Sequence, residues 1–185
     1  MFDRWMARLL AAVGAVTGTV VDVGIGEGLS LERVLAAPEV RPKRVVGVEY
    51  RSDKAHVAHR ARNLDVAVGD AGMLPFGDDA ADLVLCIELL EHLPQVAPAV
   101  AELARVTVRG TGRCVVSVPW EPWFCLGNLG RGKNVRRLGN DPEHIGWFTP
   151  PRLRRTLEPH FERVTVVRAF PWLVGVAHQP RRGNG

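Results

Sequence analysis

Two groups of residues in this 185-residue chain have types and spacings that can do chemistry. The first is VVDVGIGEG, which sets Asp22, Gly24, Gly26 and Gly28 where a β-branched run meets a helical segment. Glycines at such a junction let the backbone turn tightly and approach a ligand closely, and the helix start offers free N–H groups. The G-x-G-x-G spacing, preceded by an acid, differs from the G-x-G-x-x-G of dinucleotide-binding loops. Glu49 ends a second apolar run, where a carboxylate can accept hydrogen bonds from both hydroxyls of a ribose. Gly69, Asp70 and Ala71 follow a third run, and Asp70 is placed to accept from an adenine amino group.

The second group is CIELLEHL, in which Glu88, Glu91 and His92 share one face if the segment is helical. Two carboxylates and an imidazole converging on one face suit a hard cation or zinc. Of the six histidines, only His92 and His144 fall in segments expected beside the same crevice. His144 is therefore the candidate general base.

The elements that must position these residues alternate. Thr19–Val23, Val45–Glu49, Leu64–Val68, Asp82–Ile87 and Arg113–Val118 read as short buried strands. Between them, Leu29–Ala37, residues 53–62 after a Ser52 cap, a turn from Leu89 to Pro94, and Val96–Val106 read as helical. Strands without period-two alternation, separated by helices, indicate a parallel sheet covered on both faces, an α/β doubly wound domain. Thr149 caps a last helix through about Leu157, and Phe161–Ala169 with Trp172–Ala177 form a closing hairpin. One domain is expected over residues 1–178, with an N-terminal amphipathic helix in 1–18, an insert at 119–148, and a disordered tail at 179–185.

Composition excludes disordered and fibrous classes, because 46% of residues are hydrophobic and 24% charged. Cys86, Cys114 and Cys125 are too few and too scattered for a disulfide framework or a cysteine zinc site, so a reducing cytoplasm is the expected location. No apolar run is long enough to span a membrane. The net charge of +4 comes from a chain whose basic residues are almost all Arg. Four of the basic residues, Arg131, Lys133, Arg136 and Arg137, lie in the insert, which makes the charge a property of one loop and nucleic acid a disfavoured partner.

Through DVGIGEG, VVGVEY, GDAGMLPF and LVLCIELLEHL, in that order, the chain resembles class I S-adenosylmethionine-dependent methyltransferases, in the group that includes small-molecule enzymes of quinone biosynthesis. The resemblance covers roughly residues 15–178 and implies a Rossmann-like, seven-stranded, mainly parallel sheet with a C-terminal antiparallel hairpin in three α/β/α layers. It also implies S-adenosylmethionine as cofactor. Asp22, Gly24 and Gly26 would lie beside its methionine part and ribose, Glu49 would take the ribose hydroxyls, Asp70 and Ala71 the adenine, and Cys86 or Ile87 would flank the methionine moiety.

The E-x-x-E-H of Glu88 to His92 resembles the metal-binding motif of small-RNA 2′-O-methyltransferases and of quinone-pathway O-methyltransferases. HIGWFT, from His144, resembles the region that supplies their further histidine. The implied site is a divalent ion, Mg or Zn, on Glu88, Glu91, His92 and His144. The competing reading is that these are satisfied polar residues, or that His144 acts alone as a base. The expected function is methyl transfer to a small-molecule hydroxyl. The alternatives are an RNA 2′-O-methyltransferase and a cofactor-binding scaffold or cyclase that transfers no methyl group. With few residues ahead of the first strand, enclosure of the acceptor is expected from the insert, the first helix or a second subunit of a homodimer.

Overall fold

The structure, a computed structural model, describes residues 2–181. In chain order the elements are α1 (Phe2–Val13), β1 (Thr19–Val23), α2 (Leu29–Leu35), β2 (Arg44–Glu49), α3 (Ser52–Arg62), β3 (Val66–Val68) and β4 (Leu83–Ile87). They continue as α4 (Val96–Val106), β5 (Arg113–Pro119), α5 (Trp123–Gly130), α6 (Pro150–Leu157), β6 (Phe161–Ala169) and β7 (Trp172–Pro180). The seven strands form one sheet in the order β3-β2-β1-β4-β5-β7-β6. The first five are parallel, and β7 inserts antiparallel between β5 and β6. This is the expected Rossmann-like, mainly parallel sheet with its C-terminal hairpin.

Alternate residues along each central strand feed two separate cores, as the strand period requires. Val21, Val84, Cys86, Cys114 and Val116 pack under α4 and α6, whereas Val20, Leu83, Leu85, Ile87 and Val115 pack under α1 and α2. Because both faces are covered, apolar residues fill every position of β4, and its sequence shows no alternation. The chain reverses its direction of travel across the sheet between β1 and β4, and that switch point opens the crevice at the C-terminal ends of the strands.

The structure departs from expectation at both ends. Helix α1 stops at Val13 instead of continuing to residue 18, because Gly14 takes a left-handed φ of 59°, a conformation that ends helices. At the other end β7 runs through Gln179 and Pro180, and the Arg181 amide donates to the His160 carbonyl at 2.7 Å. The expected tail therefore contains strand residues up to Pro180, and its residues 182–185 lie outside the described residues. Thr149 does cap α6, its hydroxyl accepting from the Arg152 amide, whereas Ser52 is the first residue of α3 and makes no cap bond.

Helix α1 is tied to the sheet by Trp5, whose indole Nε1 donates to the Ser117 hydroxyl at 2.9 Å and whose ring lies 5.2 Å from that of Trp172. Trp5 is 2% exposed, so its ring is removed almost wholly from water. Trp5→Ala should cost about 3–5 kcal/mol in urea unfolding, since it leaves a cavity and removes the donor to the Ser117 hydroxyl. A loss under about 1 kcal/mol, no more than a typical hydrogen bond, would show that α1 contributes little to the fold.

Candidate functional site

The loop after β1 builds one side of the crevice. Gly24, Gly26 and Gly28 all have φ between 56° and 79°, which side chains rarely adopt. A Cβ on Gly24 would also meet the Leu89 methyls at 2.9 Å, whereas one on Gly26 would meet nothing within 4 Å. Gly26 thus faces open space. Both carboxylate oxygens of Glu49 accept from backbone, Oε2 from the Gly26 amide at 2.9 Å and Oε1 from the Arg51 amide at 3.0 Å. Glu49 is therefore locked in direction while keeping unused lone pairs.

Two adjoining cavities share Gly24, Glu49, Leu89 and His92 in their walls. One, of about 430 Å³, is lined by Tyr50, Asp70, Ala71 and Leu93, and the other, of about 560 Å³, by Gly26, Ile87, Glu88 and Glu143. Asp70 holds its place by accepting from the Gly72 amide at 2.7 Å. Asp22 is 3% exposed within β1, flanked by Gly47 of β2 and Leu85 of β4. Cys86, like Asp22, lines neither cavity. It points into the core beneath α4, while Ile87, the next residue along the strand, lines the cavity. Strand alternation assigns the wall position to one of the two, and it falls to Ile87.

Across the cavity stand the acids and histidines of the second motif. Glu88 does not share a helical face with Glu91 and His92. It takes a φ of 56° just ahead of a single helical turn, Leu90–His92, and so points elsewhere. Its Oε2 accepts from the Trp172 indole at 2.8 Å and its Oε1 from the Ser117 hydroxyl at 3.2 Å. Burial raises the Glu88 carboxyl to about 7 in spite of those two donors. The chain Trp5–Ser117–Glu88–Trp172 therefore couples α1, β5 and β7 to this acid.

Glu91, His92 and His144 do converge, each offering a ligand atom within 4.8 Å of the others'. The convergence is built by the main chain. The Ile145 and Gly146 amides both donate to the Glu91 carbonyl at 2.8 Å, which pins the end of the insert beneath the helical turn. His92 Nδ1 lies 2.9 Å from the Glu143 carbonyl and must donate to it, leaving Nε2 as the lone-pair nitrogen. Neither carboxylate oxygen of Glu91 has a partner, although the residue is 1% exposed. Burial first, then the charge of Glu88, pushes its carboxyl up to about 9.

Sequence reasoning missed Glu121. It is 2% exposed, and its Oε1 lies 4.0 Å from His144 Nδ1 with neither atom hydrogen-bonded. A lone acid after Pro119-Trp120 carries no spacing signal. The missed helix α5 presents Phe124, whose ring lies 5.4 Å from His144 and 6.0 Å from Trp172. Trp120 and Trp123 cluster with Phe170 at 6.2 Å, but Trp123 and Phe170 stay about half exposed, so these rings form a surface cluster and not the expected packed core. Arg131, Lys133, Arg136 and Arg137 line neither cavity of the crevice.

A family model described as a methyltransferase domain matches residues 21–116, just over half of the chain. The chain belongs to that family. The match spans β1 to β5, the strands whose ends carry Asp22, Glu49, Asp70 and Glu88. The demethylmenaquinone methyltransferase of Renibacterium salmoninarum is 36% identical over 123 residues, covering 65% of this chain and 50% of that protein. The chain thus spans half the length of that relative. Among solved structures, an S-adenosylmethionine-dependent methyltransferase from Thermotoga maritima superposes with a TM-score of 0.70 at 20% identity, covering 96% of this chain and 94% of the other. The [4+2]-cyclase SpnF superposes with a TM-score of 0.69 at 14% sequence identity, covering 97% of this chain and 82% of the other. The methyltransferase fold alone therefore does not fix the reaction. No helix among the described residues is long and apolar enough to cross a membrane.

Burial, then the charge of Glu49, raises the Asp22 carboxyl from 3.8 to about 7. Over that window the folded ligand-free domain keeps a proton that the unfolded chain has released. Stability therefore falls as pH rises from about 4 to about 7, by up to about 1.4 kcal/mol per pH unit from this group, and levels off above. Asp22→Asn removes the penalty. Its Tm advantage over wild type should grow from pH 4 to pH 7 and then hold constant, and a difference independent of pH would show Asp22 ionised throughout.

Proposed function

We propose that the domain transfers the methyl group of S-adenosylmethionine to a hydroxyl of a small-molecule acceptor, with a divalent cation at Glu91, His92 and His144. The observation that supports this reading is the set of buried polar atoms without hydrogen-bond partners on Glu91, Glu121 and His144, with Glu91 and His144 converging on His92, which lines the Gly26–Glu49 cavity. Native structures rarely leave such atoms unpaired unless an ion, water or reactant belongs there. The residues fit a cation by type as well, since carboxylate and imidazole donors suit Mg, Mn or Zn.

In this reading the loop admits the donor closely at Gly26, Glu49 takes the ribose hydroxyls, and Asp70 with Ala71 receives the adenine. When bound, S-adenosylmethionine supplies a methyl group on a cationic sulfur, open to in-line displacement. A bound cation would hold the acceptor oxygen and lower its pKa. Ile87 and Leu89 wall the cavity with apolar surface and keep water from the reacting centre, and Phe124 with Trp172 offers ring faces on the acceptor side. Alignment of acceptor, methyl group and sulfur carries much of the rate, so rigid placement of these walls matters more than any one contact.

A second reading rests on one distance. With Glu121 4.0 Å from its Nδ1, His144 is also placed to serve alone as the base that takes the hydroxyl proton. Incubating the protein with methyl-labelled S-adenosylmethionine and hydroxylated aromatic acceptors separates the two. The proposal expects labelled product that disappears in excess EDTA and returns with Mg²⁺ or Mn²⁺. Full activity in EDTA would leave His144 as base, and donor binding without any labelled product, even from whole-cell extract, would point to a scaffold or cyclase.

The donor site has its own test. Glu49→Ala and Asp70→Ala should each weaken S-adenosylmethionine binding about tenfold or more, the expected loss for a hydrogen bond to a charged group. Unchanged affinity in calorimetry for both variants would sink the assignment.

A further inference from the structure

Glu121 lies at the start of the insert, outside every motif, and its surroundings are unusual for a carboxylate. Its Oε2 accepts from the Cys125 amide at 3.2 Å, while its buried Oε1 has no donor. His144 Nδ1, 4.0 Å away, is also without a partner, and that gap is too long for a hydrogen bond between them. The backbone fixes this placement. The Glu121 amide donates to the Phe148 carbonyl at 3.0 Å and Trp120 bridges Phe148, which clamps the first turn of the insert against its last. Glu91 is clamped to the same closing segment through Ile145 and Gly146. Main-chain bonds that none of their side chains supplies thus hold Glu91 beside His92 and His144, and Glu121 beside His144.

We propose that Glu121, and not Glu88, is the second carboxylate ligand of the cation site, giving a donor set of Glu91, Glu121, His92 and His144. The inference rests on the cation reading above. Glu88 has each oxygen taken by a donor, Trp172 or Ser117, and it lines the wall of the donor cavity. Glu121 has a buried oxygen that nothing in the protein satisfies, and an unpaired buried charge is costly unless a cation or a proton meets it. Two carboxylates with two neutral imidazoles carry a charge of −2, which a divalent ion neutralises. Nitrogen donors in half the set favour Mn or Zn over Ca.

The test is titration of Mn²⁺ into the full chain saturated with S-adenosylhomocysteine, read by electron paramagnetic resonance and calorimetry, with no turnover involved. Wild type should bind Mn²⁺. Glu121→Gln should weaken that binding by about tenfold or more, at least the loss seen when a group supporting a metal ligand is removed, while Glu88→Gln leaves it nearly unchanged. Glu121→Gln should keep wild-type affinity for S-adenosylhomocysteine, which reports that the fold is intact. If Glu121→Gln loses that affinity, Glu121→Asp takes its place, with the expected outcome a fall in Mn²⁺ affinity alone. Wild-type Mn²⁺ affinity in a folded Glu121 variant overturns the assignment of this ligand and leaves the cation reading standing. A wild-type chain that binds no Mn²⁺ overturns the cation reading, and Glu121 as a ligand falls with it.

Discussion

Negative charge held out of water at one edge of the sheet is the constraint on which the rest of the site depends. Asp22, Glu49, Glu91 and Glu121 are each less than a tenth exposed, and Glu88 is half-buried nearby. Charges in such a place must be protonated, paired or met by a cation. Protonation accounts for part of it, since burial lifts Asp22 and Glu88 to about 7. Backbone amides account for Glu49. Burial lifts Glu91 furthest, to about 9, and no hydrogen bond in the protein meets either of its oxygens or Oε1 of Glu121. A sulfonium donor on one side and a divalent ion on the other would each bring positive charge to an edge that carries an excess of negative.

The fold keeps these groups in place through contacts remote from the crevice. Glu88 sits in a left-handed backbone conformation, which costs on the order of 1 kcal/mol for a residue with a side chain. It is held there by donors from β5 and β7, and Ser117 is held in turn by Trp5 of α1. The hairpin β6–β7 therefore does more than close the sheet, because it delivers the Trp172 indole to the acid. The same logic explains the glycines, since the loop turns three times into positive φ within five residues, bringing the Gly26 amide to Glu49 while leaving space beside Gly26 clear, and only glycine does so without strain.

What the sequence made legible follows from where its signals are local. Each strand end is marked by a residue that would be out of place inside a buried strand, Asp22, Glu49 or Asp70, so order and spacing alone marked the sheet edge where the crevice opens. Cys86 and Ile87 could not be told apart in the same way, because a strand buried on both faces loses the alternation that reveals direction. Glu88 defeated the helical-face argument because its backbone leaves helical space one residue before the turn begins. Glu121 was invisible for a different reason. Its meaning comes from Phe148, 27 positions later, and a bond between distant main-chain atoms leaves no trace in residue type. Helix α5 was hidden by Gly127 and Gly130, which read as turn residues and are tolerated in a short helix packed by Phe124 and Cys125.

The insert between β5 and α6 has two tasks that constrain each other. It supplies His144 and Glu121 to the charged centre, and it supplies Phe124, Trp120 and Trp123 to the surface over that centre. Changes in its exposed portion, from Arg131 to Leu138, touch neither task, and that stretch is solvent-facing. Its two ends are not free to vary, since Trp120 and Phe148 bridge and the amides of Ile145 and Gly146 hold Glu91. In the proposed function, acceptor preference would be tunable through the aromatic residues of α5 and the groove of Arg4, Arg8, Arg168 and Phe170, while the charged centre and the glycine-loop edge stayed fixed. A division of this kind lets one sheet serve many acceptors, because the groups that choose the acceptor are not the groups that hold the sheet together.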